Sequence, residues 1–253
     1  MNKEKGKVWL NILLNLFLNF PSILEYKKCS FLSDRQTLLY LLETRKGIVR
    51  FGDGEIGYIS RYSYNHQKQV LALRNKLKEI LSNYNEKSPY IIGLPVEILF
   101  GKFIERKLPK RGWQSARYSL YPYINKNNCY GSAFCFRILT VVDENKKEYA
   151  KLILQLFQGK DIVYVGGIEP YPNLIEIKEF IQTPPQNAFD EYDNLLRLIE
   201  KKAKLLKNPV VVLSCGITAT ALSAEVNNLG IPAYDVGLCF TKRLYAYLFK
   251  NSY

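Results

Sequence analysis

The chain has 253 residues, of which 47% are hydrophobic and 23% charged, so it can bury a substantial core as one large domain or two small ones. This composition excludes a disordered or fibrous protein. The excess of 36 Lys and Arg over 23 Asp and Glu gives a net charge of +13, which favours nucleic acid, anionic lipid or phosphate-bearing substrates as partners. Five cysteines without Cys-x-x-Cys spacing, and a single histidine, argue against a zinc site and a disulfide framework and favour a reducing cytosol.

The N-terminal region contains an apolar run over residues 8–20, preceded by three lysines. Three asparagines recur every four residues within it, so a helix would carry them as one polar stripe. The run is short for a membrane-spanning helix, and no small-residue cleavage site follows it. We therefore predict an amphipathic helix and linker over residues 1–30, either packed on the domain or lying in a membrane interface, and a single domain over residues 31–253.

Helical and strand patterns alternate along the rest of the chain. Short apolar runs that end in glycine or polar residues predict strands over 48–51, 90–94, 128–134, 161–167, 209–216 and 233–237. The 3.6-residue period predicts helices over 34–46, 55–61, 67–81, 96–105, 144–158, 188–206 and 217–229. This alternation predicts an α/β, Rossmann-like fold with a mostly parallel sheet and helices on both faces. In such sheets ligands bind beyond the carboxyl ends of the strands.

Two carboxylates follow the first predicted strand directly, in the run Arg-Phe-Gly-Asp-Gly-Glu over residues 50–55. Asp53 and Glu55 alternate with glycines, so the backbone there can turn sharply and approach a ligand. Mg²⁺ and Mn²⁺ take oxygen ligands and often bind through one or two carboxylates together with substrate phosphates. The run therefore predicts a metal–diphosphate site, with a solvated acidic turn as the alternative.

Three further segments have the composition of anion sites. Gly216 and Thr218 open a predicted helix after a buried strand, where free N–H groups bind anions, although Thr218 is equally suited to capping. Ser132 lies in a Gly-Ser turn shortly before Arg137, whose guanidinium suits a diphosphate. The basic stretch 102–117 is either an acceptor or phosphate surface or a solvated face.

Taken in order, four segments resemble the GT-D type glycosyltransferases, a bacterial group first catalogued as a domain of unknown function. The matching segments are 50–55, 131–134, 187–193 and 216–237. The resemblance extends from Leu38 to Gly237 and implies a single Rossmann-like domain that transfers a sugar from a nucleotide diphosphate sugar, most simply a UDP-sugar. Asp53 and Glu55 match the Asp-x-Glu motif of the family, which holds Mn²⁺ or Mg²⁺ against the diphosphate.

The resemblance and the residue types together imply specific roles. We expect Asp53, Glu55 and Asp190 to be catalytic, with Asp53 and Glu55 also holding the metal. Asp190 shares the role of candidate base with Glu169, Glu191 and Asp193, because a base must reach the acceptor hydroxyl. The expected diphosphate or nucleotide contacts are Arg50, Gly52, Ser132, Arg137, Asn187, Gly216 and Thr218.

The last strand shows one departure from the family pattern. The family reads Asp-x-Gly-His there, whereas this chain has Leu238 after Asp235-Val236-Gly237. Leucine cannot bind a metal, so either carboxylates, phosphates and water hold the ion or the chain has lost efficient turnover. A non-catalytic nucleotide-sugar or partner-binding protein is therefore one alternative function.

A basic nucleic-acid-binding protein is the second alternative, although the carboxylate pair argues against nucleic acid as a partner. The acceptor is expected to be a glycan, glycoprotein or lipid-linked saccharide of bacterial surface polysaccharide or glycoprotein synthesis. The expected location is the cytoplasm, with peripheral contact at the inner face of the cell membrane as an option that the N-terminal run and the basic stretches suit.

Overall fold

The computed structural model describes residues 29–60, 66–95, 120–138, 145–240 and 242–249. The strands are β1 (Ser30–Phe31), β2 (Gly47–Arg50), β3 (Tyr90–Leu94), β4 (Cys129–Ser132), β5 (Asp161–Gly166), β6 (Ile177–Gln182), β7 (Pro209–Ser214) and β8 (Ala233–Asp235). They form one sheet in the order β1-β4-β3-β2-β8-β7-β5-β6, and every neighbouring pair is parallel. All strands therefore end at the same edge of the sheet, the edge at which ligands bind in open α/β folds.

Seven α-helices are seen in the described residues. They are α1 (Asp34–Thr44), α2 (Asp53–Ile59), α3 (Leu71–Asn83), α4 (Lys146–Gln155), α5 (Tyr192–Ala203), α6 (Ile217–Asn228) and α7 (Lys242–Phe249). Helix α1 shows how local sequence sets their ends. Its N-cap Ser33 accepts from the backbone N–H of Gln36, whose side chain accepts from Ser33 in turn, and its C-cap Arg45 is left-handed.

The helices lie in two layers. Helix α6 contacts α2, α3 and α5, whereas α4 contacts α1 and α7. Right-handed crossovers account for this division, because connections that run in opposite directions along the sheet must cross opposite faces. The chain leaves β2 towards α2 and leaves β8 towards α7, so the connections after these two adjacent strands diverge. A crevice is expected at such a point, and ligands of open α/β sheets bind there.

The predicted α/β class and parallel sheet are confirmed, and β3 has the predicted bounds. Two strands were missed: β1, which has only two residues, and β6, whose apolar residues are interrupted by Lys178 and Glu179. The predicted helix over 67–81 was wrong at its start, since α3 begins at Leu71. The predicted helix over 96–105, the basic stretch 102–117 and almost all of the N-terminal segment lie outside the described residues.

Candidate active site beside β2 and β8

The Asp-x-Glu motif forms the turn from β2 into α2. Asp53 is the first residue of α2, and its side chain is 51% exposed. Glu55 lies two residues on, and its Oε2 accepts a 2.8 Å hydrogen bond from the backbone N–H of Gly52, which caps the helix. The motif therefore directs one carboxylate towards solvent and folds the other back on the start of the helix.

Glu55 has an unusual electrostatic environment. Its side chain is half-buried, and burial together with the neighbouring Asp235 carboxylate raises its pKa to about 7. Arg50 and the Gly52 N–H oppose this rise but do not cancel it. Near neutral pH, Glu55 is therefore present in both its protonated and its ionised form.

Arg50, predicted as a nucleotide contact, is held by the protein itself at the end of β2. Its Nε donates to the backbone oxygen of Asp235 at 2.6 Å, and its Nη1 donates to the backbone oxygen of Ala133 at 2.9 Å. Its Nη2 pairs with Asp235 Oδ1 at 3.0 Å. Burial lowers the pKa of Arg50, but the neighbouring acidic groups, chiefly Asp235, together outweigh burial, and the pKa lies above its ordinary value. Arg50 thus ties together the ends of β2, β4 and β8.

Asp235 is a residue that the sequence did not single out as a site residue. Besides Arg50, it accepts from Thr220 Oγ1 at 3.4 Å through Oδ2 and from the backbone N–H of Gly237 at 3.2 Å through Oδ1. Thr220 also donates to the backbone oxygen of Arg50 at 3.1 Å. The only sequence signal for Asp235 was its place in the family motif, because its partners are remote in the chain.

Gly237 lies against the same guanidinium. Its φ is 53°, and an added Cβ would lie 2.5 Å from Arg50 Nη2. The next residue, Leu238, is 83% exposed. The residue at the family's histidine position therefore projects from the edge of the sheet beside the crevice.

Arg137 is the cation that faces Asp53. Its Nη2 lies 3.7 Å from Asp53 Oδ1, both side chains are about half exposed, and its guanidinium stacks 4.9 Å from the ring centroid of Phe134. Ser132, predicted as a second contact in this segment, is buried, and its hydroxyl accepts from the backbone N–H of Phe134 at 3.0 Å. Ser132 therefore shapes the turn that carries Phe134 and Arg137.

The N-terminus of α6 lies beyond β7, one strand from β8. Gly216 is exposed with φ 63° and ψ −144°, a conformation essentially restricted to glycine, and no described residue would contact a Cβ added there. Thr218 is buried, and its Oγ1 lies 3.5 Å from Gln67 Oε1. The backbone at this helix start is therefore open, while the Thr218 side chain is directed inwards.

Asn187 and Asp190 belong to a neighbouring loop system. Asn187, in a left-handed conformation, accepts from the backbone N–H of Lys68 at 2.9 Å. Asp190 pairs with Lys68 Nζ at 2.9 Å, and both side chains are about half exposed. Gln67 connects this loop to α6 because its Oε1 also accepts from the backbone N–H of Phe189 at 3.2 Å. Asp190 is thus accessible to solvent. Asn187 connects its own loop to the segment that contains Lys68.

The thiols near this edge are in their neutral form. Burial raises the pKa of Cys135 and Cys215 well above the ordinary range and that of Cys239 to about 12. These cysteines therefore do not supply a thiolate nucleophile at neutral pH.

The chain matches the family model described as the glycosyltransferase GT-D fold over residues 48–247. It is 25% identical over 224 residues to a probable glycosyl transferase, Gly, of Streptococcus gordonii, a match that covers 84% of this chain and 32% of that protein. It is also 25% identical over 216 residues to the glycosyltransferase GlyD of Streptococcus pneumoniae serotype 4, covering 80% of this chain and 26% of the relative. The chain thus spans about a third or less of the length of these relatives.

Solved structures show the same architecture. One, described as a highly conserved domain of unknown function 1792 with a distinct glycosyltransferase fold, superposes with a TM-score of 0.74 at 26% identity, covering 93% of this chain and 88% of that one. Another, described as a new glycosyltransferase from Streptococcus sanguinis, has a TM-score of 0.71 at 24% identity and covers 83% of this chain and 82% of that one. The second likeness concerns the fold alone. Because the family model spans most of the chain, from β2 to α7, this protein belongs to the glycosyltransferases of the GT-D fold.

Proposed function

We propose that this glycosyltransferase moves a sugar from a nucleotide diphosphate sugar, most simply a UDP-sugar, with Mn²⁺ or Mg²⁺ held by Asp53 and Glu55. The observation that carries the proposal is the position of both residues beside the crevice of β2 and β8, the expected ligand position of the fold. Glycosyl transfer as a class follows from the family. The donor, the metal and the acceptor are the proposed part.

The residues present fit a hard divalent cation. Asp53 is half exposed, and its ion pair with Arg137 is long at 3.7 Å. Glu55 is a half-buried carboxylate whose pKa is raised by burial and by the nearby Asp235. Among the described residues no third His, Cys, Asp or Glu joins them in a metal-binding group, so phosphates and water would complete the ligand set. A bound cation would neutralise the charge that develops on the leaving nucleotide diphosphate.

Two features of the chain itself would hold the donor, and a third would act indirectly. Arg137 lies next to Asp53, where its guanidinium could bind a diphosphate oxygen. The open backbone at Gly216 begins a helix of 12 residues, whose N-terminus favours a negative group. Arg50 and Asp235 would act indirectly, because their mutual contacts fix the strand ends that carry these groups.

Asp190 is the proposed proton acceptor for the incoming hydroxyl. It is half exposed in the 3-10 turn Ala188–Glu191 immediately before α5, and its partner Lys68 is exposed as well, so the ion pair can open to a substrate. The proposed acceptor is a glycan, a glycoprotein or a lipid-linked saccharide of surface polysaccharide or glycoprotein synthesis. A cytoplasmic enzyme with peripheral membrane contact would suit the lipid-linked case. No helix in the described part of the chain is long and apolar enough to cross a membrane.

One observation favours a second candidate, a protein that binds the donor without turnover. Leu238 projects from the edge where the family pattern has histidine, and it offers no lone pair to a metal or a proton. This candidate predicts metal-dependent nucleotide binding with no release of the nucleotide diphosphate from any donor.

The test is hydrolysis of a panel of UDP-, GDP- and TDP-sugars with Mn²⁺, measured as release of the nucleotide diphosphate. The variants are Asp53→Asn and Glu55→Gln, and the control is Glu176→Gln, whose carboxylate is 79% exposed just before β6. Release from one donor that is lost in both variants and kept in the control supports the proposal. Thermal shift with each nucleotide and metal separates the candidates: binding without release favours the second, and no metal-dependent binding excludes the Asp53–Glu55 site.

A further inference from the structure

The two most exposed large apolar side chains in the described part of the chain lie at the carboxyl edge of the sheet. Ile168 is 82% exposed in the segment after β5, and Leu238 is 83% exposed in the segment after β8. A backbone hydrogen bond of 2.9 Å from Tyr171 to Phe240 joins these two segments. The two segments that carry Ile168 and Leu238 therefore lie side by side, and Leu238 follows β8 directly at the crevice beside the Asp-x-Glu motif.

Aromatic rings of α7 extend this surface. The rings of Tyr171 and Tyr245 lie 4.7 Å apart between centroids, and the rings of Tyr245 and Phe249 are equally close at 4.7 Å. Phe249 is 57% exposed. We call this group the edge patch; its members are Ile168, Tyr171, Leu238, Tyr245 and Phe249.

We propose that the edge patch contacts an anionic lipid bilayer. The bilayer would then present the acceptor to the crevice, and this role rests on the proposed function, whereas the membrane contact itself does not. Side chains more than four-fifths exposed project from the protein instead of lining a groove. Such side chains suit a deformable hydrocarbon layer better than a rigid protein surface, which needs matched shape. Tyrosine rings beside them match the headgroup level of a bilayer, where aromatic rings are enriched.

The charge around the edge patch favours anionic lipid. Lys146 lies 5.3 Å from the ring centroid of Tyr247, so one cation lies against α7, the helix that also carries Tyr245 and Phe249. The whole chain carries a net charge of +13, and the acidic residue that follows Ile168 in the sequence is Glu169. Basic residues next to exposed apolar groups are attracted to anionic headgroups while the apolar groups enter the acyl boundary.

The experiment measures co-sedimentation of the full chain with vesicles of phosphatidylglycerol and phosphatidylcholine and with vesicles of phosphatidylcholine alone. We expect binding to the anionic vesicles that weakens with added salt, because exposed charges are screened. The double variant Ile168→Ser/Leu238→Ser should bind roughly tenfold more weakly, as expected when two aliphatic side chains no longer enter the bilayer. Phe249→Ser should weaken binding to a smaller extent.

Leu205→Ser is the matched control. Leu205 is 76% exposed just after α5, at the opposite edge of the sheet, and its replacement should leave vesicle binding unchanged. The proposal is overturned if the wild-type chain does not bind the anionic vesicles. It is also overturned if the double variant binds them as tightly as the wild type does, because the membrane contact would then lie elsewhere in the chain. Equal loss in the Leu205 variant would also overturn it. A patch variant that binds vesicles normally but fails to bind a protein or a soluble glycan would assign the patch to that partner instead.

Vesicle binding needs neither donor nor metal, and donor hydrolysis needs no vesicles. The two proposals can therefore be refuted separately. A chain that hydrolyses a donor but does not bind anionic vesicles refutes only the membrane contact. Circular dichroism and thermal unfolding of each variant check the fold, which exposed positions of this kind are expected to leave intact.

Discussion

Arg50 Nη2 lies 3.0 Å from Asp235 Oδ1, and these side chains, only 11% and 6% exposed, join positions 185 residues apart at the ends of adjacent strands. The pair joins the last residues of β2 and β8, next to the turn that carries Asp53 and Glu55. Its backbone contacts reach β4 as well, through Ala133. The geometry of the candidate site therefore depends on a buried ion pair that need not touch the substrate.

Removing one member of this pair should destabilise the protein strongly. We expect Asp235→Asn and Arg50→Met each to lower the free energy of unfolding by roughly 3–5 kcal/mol, because the partner is left as an uncompensated buried charge. Denaturant unfolding measures the change. Lys151→Met is the control, because Lys151 pairs with Glu148 on an exposed helix face. Its replacement should lower the free energy of unfolding by less than about 0.5 kcal/mol. A loss below about 1 kcal/mol at Arg50 would contradict the buried ion pair.

Gly237→Ala should disturb the site more than its small size suggests. The backbone there has φ 53°, and the new Cβ would lie 2.5 Å from Arg50 Nη2, so strain and displacement of the guanidinium add together. Gly230→Ala separates the two effects, because Gly230 has φ 81° but no described residue within 4 Å of an added Cβ. We expect Gly230→Ala to lower the free energy of unfolding by about 1–3 kcal/mol through strain alone, and Gly237→Ala to lower it by more. Denaturant unfolding measures both changes. Equal losses would show that Arg50 can move aside freely.

The stability of the metal-free protein should depend on Glu55 through pH. The pKa of Glu55 is raised to about 7 in the folded state, so its stabilising contribution is complete below the ordinary carboxyl pKa and is lost as pH rises through about 7. Glu55→Gln keeps an amide oxygen to accept from Gly52 and carries no charge. We therefore expect this variant to gain stability relative to wild type when pH is raised from about 5 to about 8.

The measurement is denaturant unfolding across this range, with a chelator present. A difference between Glu55→Gln and wild type that stays constant with pH would argue that Glu55 is not desolvated as the structure indicates. Added Mn²⁺ should reverse the difference at high pH, because a metal stabilises the ionised carboxylate.

Arg137→Ala should affect the donor without affecting the fold. Arg137 and Asp53 are both about half exposed and lie 3.7 Å apart, so their ion pair contributes little to stability. Loss of a charge-assisted hydrogen bond to a diphosphate corresponds to roughly 10–100-fold weaker donor binding. Titration with the nucleotide diphosphate and Mn²⁺ measures this effect. Arg197→Ala on α5 controls for net charge, and equal weakening in both variants would exclude a specific role for Arg137.

The sequence predicted those parts of the fold that depend on neighbouring residues. Strands such as β3 and β7 were found because buried parallel strands are continuous apolar runs bounded by turn residues. Strand β6 was missed because Lys178 and Glu179 interrupt its apolar residues, which an edge strand tolerates. The order of the strands follows from no local pattern, since it is set by the crossovers.

The residues of the candidate site likewise include some that local sequence predicts and others that depend on remote parts of the chain. The Asp-x-Glu turn and Arg137 were predicted as site residues from their residue types, and the structure brings Asp53 and Arg137 within 3.7 Å of each other. The inward direction of Arg50 depends on partners at the ends of other strands, which the sequence alone does not reveal. Ser132 is likewise held by a remote partner, because its backbone N–H donates to Thr37 Oγ1 on α1. The proximity of Glu55 to Asp235, which raises its pKa, likewise exists only after β8 has inserted beside β2.

The two edge strands of the sheet, β1 and β6, affect how this protein behaves at high concentration. Strand β1 has two residues, too few to act as a template for an added strand. Strand β6 is longer, but Lys178 and Glu179 lie along it, and Glu179 forms an ion pair with Lys202 of α5. Charged side chains on an edge strand oppose pairing with a strand of another molecule. Within its described part, the sheet thus combines a fully buried centre with borders that resist growth into fibrils, which favours colloidal stability despite the apolar edge patch.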